Sequence, residues 1–62
     1  MQVHVIVTFP SLPPMHFRAE AIAARAFREE MTRWHDQVSI HLDFAVLPSM
    51  PRLPCHRLFE NP

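Results

Sequence analysis

Glycine is absent from all 62 residues, while proline occurs seven times. Glycine supplies positive φ at the least steric cost, so every turn that needs it is expensive for this chain. Turning falls to proline instead, in Pro10-Ser11-Leu12-Pro13-Pro14 and again along the tail. The same absence removes glycine-rich phosphate loops and the nucleophile elbow in their usual forms. What remains is a set of regular segments joined by stiff corners.

Met15 to His35 is the one run long enough for a sizeable helix, and its interior holds no proline. Phe17, Ala21, Ala24, Phe27, Met31 and Trp34 recur at three- and four-residue steps, which predicts one apolar helical face. Arg18, Arg25, Glu29 and Thr32 fall opposite, and the alanines raise intrinsic propensity. Pro13 and Pro14 stand just upstream, where a missing N–H costs least. Glu20 interrupts the apolar face. It reads either as a carboxylate favoured by the helix N-terminus or as a partly buried acid with acid–base potential. Ile22 falls among the charges; it reads either as a single exposed isoleucine or, with Ala19 and Ala26, as part of a second contact surface.

Two alternating segments flank this run. Residues 3–9 place Val3, Val5, Val7 and Phe9 on one side, with His4, Ile6 and Thr8 on the other. Residues 38–47 do the same with Val38, Ile40, Leu42, Phe44 and Val46 against Ser39, His41, Asp43 and Ala45. Strands covered on both faces read as continuous apolar runs, so this alternation predicts a sheet with one polar face. The expected fold is small α+β: a strand–helix–strand, βαβ-like core over residues 1–47, with one helix (15–35) packed on a two-stranded sheet. A helix of about 20 residues suits a right-handed crossover between parallel strands, with antiparallel pairing as the alternative because the connecting segment is long enough for either.

Residues 48–62 differ in kind. Pro48, Pro51 and Pro54 repeat every third residue, the period of polyproline II, and an apolar pair, Leu58-Phe59, follows. The segment reads as an extended arm that packs over its own or a neighbouring subunit's core, or docks on a partner.

Length and composition narrow the function classes. A chain this short buries only about 60% of its unfolded surface and is marginal alone. The single cysteine, Cys55, leaves no internal disulfide. Oligomerisation or docking on a larger partner leads among the remaining routes to stability, with a metal second, so homodimerisation through strand edges is expected. The formal net charge is zero, with no clustered positive charge of the kind that marks a nucleic-acid interface. No run approaches the ~18 apolar residues of a membrane span, and no signal peptide is evident. A lone cysteine suits a reducing compartment, so a cytoplasmic location is expected.

For chemistry, His4, His41 and Asp43 share the polar strand face, a set that suits a metal, a His–Asp pair or an ordinary solvated sheet. Cys55-His56 is a poor chelate because its residues are adjacent. No cofactor and no metal is expected, and catalysis by this chain alone is not. Catalytic candidates are confined to His4, His41, Asp43 and Glu20. Partner-binding candidates are Arg18 and Arg25 on the helix, Arg52 and Arg57 in the tail, and Leu58 and Phe59.

The length and strand–helix–strand order are similar to the small tautomerases of the 4-oxalocrotonate type, which assemble as dimers or larger rings. Those enzymes use an amino-terminal proline, whereas position 2 here is Gln2. The opening MQVHVIVTFPSLPP also resembles the first strand of muconolactone isomerase and other ferredoxin-like enzymes. These resemblances imply a small oligomeric α+β shell. The expected function is a homodimeric interaction protein that binds and inhibits a larger protein, of the kind phages and mobile elements encode. The alternative is a small isomerase-like or ligand-binding oligomer with its site at the subunit interface.

Overall fold

A computed structural model describes residues 1–54 of the chain. Its elements run β1 (Gln2–Thr8), β2 (Met15–Glu20), α1 (Ala21–Trp34) and β3 (Ser39–Asp43). The three strands form one sheet in the order β2-β1-β3, with β1 antiparallel to both neighbours. The outer strands are therefore parallel to each other, and α1 carries the chain from one to the other across β1, a split βαβ arrangement.

The expected helix of residues 15–35 is corrected at its front end: residues 15–20 are a strand, and the sheet has three strands rather than two. The physical reason lies in the alternation of Met15, Phe17 and Ala19 with His16, Arg18 and Glu20. That pattern lets the segment pair with β1 from Gln2↔Glu20 to Val7↔Met15. Partners on a pleated, half-buried surface outweigh helix propensity, which is worth only tenths of a kcal/mol per residue. The second predicted strand shortens to residues 39–43. There the Asp43 carboxylate accepts the Ala45 N–H at 2.9 Å, and the Val46 N–H turns back to the Phe44 carbonyl at 2.9 Å. Such a local side-chain turn competes with the sheet ladder and ends it.

Corners are made without glycine. The Leu12 N–H reaches the Phe9 carbonyl at 3.3 Å, and the Met50 N–H reaches the Leu47 carbonyl at 3.0 Å. Both turns carry Pro-Ser at their centre (Pro10-Ser11 and Pro48-Ser49), placing proline where its fixed φ suits the second residue of a turn.

One sheet face is the core. Val3, Val5 and Val7 of β1 lie between Ala19, Phe17 and Met15 of β2 on one side and Leu42 and Ile40 of β3 on the other. The helix covers this face through Ala24, completely buried, with Ala21, Phe27 and Met31 also packed against the core; Ala23 is completely buried as well. Of the predicted apolar stripe, Phe17 belongs to β2, and Trp34 points away, 72% exposed with its Nε1–H donated to Glu30 at 2.9 Å. Ile22 is likewise exposed.

The first part of the tail belongs to the same core. The Arg18 N–H donates to the Pro51 carbonyl and the Leu53 N–H to the Arg18 carbonyl, each at 2.9 Å. Pro51 to Leu53 thus lie parallel against the outer edge of β2, and Leu53 is buried to 1% exposure among the valines. To reach that edge from β3, residues 44–50 must cross the sheet. A hollow lined by Gln2, Arg18, Val46 and Pro48 puts the crossing on the polar face. That face is therefore partly roofed.

Candidate functional site

The pleat places Gln2, His4, Ile6 and Thr8 of β1 on the face away from the helix. Register brings His16, Arg18 and Glu20 of β2 and Ser39, His41 and Asp43 of β3 to the same side. His4 lies directly across from Asp43 on one neighbour and from Arg18 on the other. His16 is one pair further along β2, a diagonal neighbour within reach of an aromatic ring.

These residues form a hydrogen-bonded line. His4 Nδ1 is 2.8 Å from Asp43 Oδ1, and His4 Nε2 is 2.8 Å from His16 Nδ1. The two imidazoles are 5.0 Å apart between centroids and 20° from parallel. With that nitrogen contact, the arrangement is two nearly coplanar rings meeting edge to edge. His4 is buried at 6% exposure, Asp43 is half-buried and His16 is exposed. The line thus runs from a carboxylate through a buried ring to a ring in solvent. Among the described residues no buried side-chain nitrogen or oxygen lacks a partner.

Proton positions follow from the donors available. An ionised carboxylate only accepts, so His4 Nδ1 carries a proton toward Asp43. With His4 neutral, its Nε2 accepts the His16 Nδ1–H, which leaves His16 Nε2 as a lone pair facing outward. With His4 protonated, the same contact reverses and His16 Nδ1 becomes the acceptor. Both protonation states keep both bonds.

The Asp43 carboxyl is held below its ordinary value of 3.8. The Ala45 N–H is the largest cause, followed by the His4 hydrogen bond; desolvation opposes them, and the charges of His4 and His41 add smaller lowering effects. A carboxyl with a depressed folded-state value stabilises the fold above its unfolded value and loses that contribution as pH falls through the folded one. Asp43→Asn keeps an oxygen for Ala45 but removes the charge. The variant is therefore expected to show a flatter decline in stability below about pH 4 than the parent in urea titrations at stepped pH. Parallel declines would contradict the coupling.

The sequence-stated candidates separate in space. His4 and Asp43 are hydrogen-bonded to each other. His41 lies on the same face across from Ile6, exposed, and takes no part in the line. Glu20 is not on the helix's apolar face; it is the N-cap of α1, where its side chain makes no capping bond and its carboxylate instead meets the Met1 amino group at 2.9 Å. His16 was missed as a partner because residues 15–20 read as helix. The period-two alternation of that segment was the signal that could have found it.

Arg18 acts as a clamp, donating from Nε to the Met50 carbonyl at 2.8 Å and from Nη1 to Gln2 Oε1 at 3.3 Å. Arg25 is exposed on α1 and lines a hollow of about 130 Å³ with Met1, Val3, Ala21, Leu42, Asp43 and Phe44. Arg52 is exposed beside Arg18. Cys55, His56, Arg57, Leu58 and Phe59 lie outside the described residues. Among the described residues no group of three or more His, Cys, Asp or Glu side chains is placed to hold a metal ion, and no helix is long and apolar enough to cross a membrane. No family model, no curated protein and no solved structure matches this chain.

Proposed function

We propose that the chain is a small interaction module that pairs with a second copy through the outer edge of β3 and, as a dimer, binds and inhibits a larger protein. The observation that supports this reading is the asymmetry of the sheet. Residues 51–53 occupy the edge of β2, while among the described residues nothing pairs with the outer edge of β3. An unpaired edge is a template for strand addition. Phe44, 74% exposed, follows β3 directly, and Leu47 is exposed close behind it. A two-fold axis beside β3 would join two sheets into one and cover these side chains. The expected setting is the cytoplasm, where the single cysteine stays reduced.

Light scattering over a concentration series tests the pairing. The parent is expected to have dimer mass at micromolar concentration, and Phe44→Asp to have monomer mass. A folded parent monomer throughout that range would overturn the reading. Inhibition is tested by co-purification from the native host and assay of whatever enzyme is retained, with Phe44→Asp alongside.

A second reading, a small isomerase-like or ligand-binding oligomer, is favoured by one observation, the hydrogen-bonded line from Asp43 through His4 to His16.

A further inference from the structure

The outer ring of the histidine line has one nitrogen left over. His16 Nδ1 is engaged with His4 at 2.8 Å, so Nε2 is its remaining ring atom, and the residue is exposed. We propose that His16 Nε2 is a nucleophilic nitrogen prepared by Asp43 and His4, and that it accepts acyl groups from small activated esters or anhydrides. This goes beyond both readings of the function, and it does not depend on dimerisation.

The geometry supplies each element the chemistry needs. Asp43 fixes the His4 tautomer and orientation through Nδ1, the role of an orienting carboxylate behind a general base. His4 Nε2 then faces the His16 Nδ1–H as a base within hydrogen-bond reach. Attack proceeds from His16 Nε2 on the acyl carbon: the N–C bond forms, the bond to the leaving group breaks, and the leaving group departs with the electron pair. The Nδ1 proton of His16 passes to His4 Nε2. His16 becomes a neutral acyl imidazole, and His4 an imidazolium beside the Asp43 carboxylate. The contact between the rings survives with its direction reversed. His4 is buried, so its new charge rests against Asp43 rather than in bulk water. Ile6, directly across from His16 and half-buried, provides an apolar floor for a small acyl group. His4 and Asp43 are positioning residues in this scheme, since only His16 touches the acyl donor.

The protein carries its own controls. His35 and His41 are also exposed, and neither has a ring nitrogen bonded to another described residue. The full chain is treated with limiting diethyl pyrocarbonate near neutral pH, and modification at each histidine is followed by mass spectrometry. His16 is expected to react about tenfold faster than His35 and His41, the scale of gain from charge-assisted over neutral hydrogen bonding. In Asp43→Asn the advantage over His35 should shrink to about twofold or less while the His35 rate itself stays unchanged. Nitrogen-15 NMR should find parent His16 with its proton on Nδ1, a signature that simple exposure would not produce. Equal rates at the three histidines, or an Nε2–H tautomer at His16, overturns the proposal. Should Asp43→Asn fail to fold by circular dichroism, the parent rates and tautomer decide alone. Failure to turn over carbonyl substrates would count against the isomerase-like reading without touching this one.

Discussion

Leu53→Ala is expected to bring the protein close to unfolding at room temperature. Leu53 is 1% exposed and packs with Val3, Val5, Val7, Ala19, Ala24 and Val38. Truncating a leucine in such a site costs about 2–5 kcal/mol, through lost transfer energy and the cavity left behind. At roughly 0.05–0.15 kcal/mol per residue, a chain of this size has only about 3–9 kcal/mol in total. One side chain in the proline-rich tail therefore carries a large share of the stability. Urea unfolding followed by circular dichroism checks it, with Leu47→Ala as the comparison. Leu47 is exposed, and its loss should stay within about 0.5 kcal/mol. A Leu53→Ala midpoint matching that of Leu47→Ala would show that the tail is not part of the core.

The second large effect is expected at Ala24→Leu. Ala24 has no exposed surface, and it is a point where α1 rests on the valine face of β1. Leucine is nearly as good a helix former as alanine, so any loss reports packing rather than propensity. Extra methylenes at a filled contact force the helix away from the sheet, at about 1–3 kcal/mol and sometimes more. Glu29→Leu on the exposed side of the same helix adds the same side chain where there is room and should be close to neutral. Equal stability of the two variants would mean that the helix does not approach the sheet through its alanines.

Both predictions depend on features that differ in how far they could be read from the residues alone. The β1 alternation was legible because Val3, Val5 and Val7 leave no other periodicity to choose. The helix was legible from Ala21 onward, where Ala24, Phe27 and Met31 keep a helical step. At Met15 to Glu20 the two periods overlap: Phe17 fits both a helical stripe and the inward side of a strand. Only a neighbouring strand distinguishes them, and β1 provides it through six register pairs. The site inherited the same ambiguity. His4 and Asp43 could be placed on one face from alternation, but His16 could join them only once its segment was a strand. The Arg18 side chain holds the crossing of residues 44–50 to the sheet, a contact between positions 32 residues apart that local pattern does not express.

The sequence alone determined the α+β composition, the apolar face of β1, the helix from Ala21 and the proline corners. Each follows from local pattern and from φ preferences that a few neighbouring residues express. The tertiary structure decided that residues 15–20 pair with β1, that Leu53 returns to the core, and that Asp43, His4 and His16 form one line. Those outcomes depend on contacts between distant segments, whose burial and hydrogen bonding outweigh the tenths of a kcal/mol that local propensity contributes. A glycine-free chain could state where it bends, but not which of its straight segments would meet.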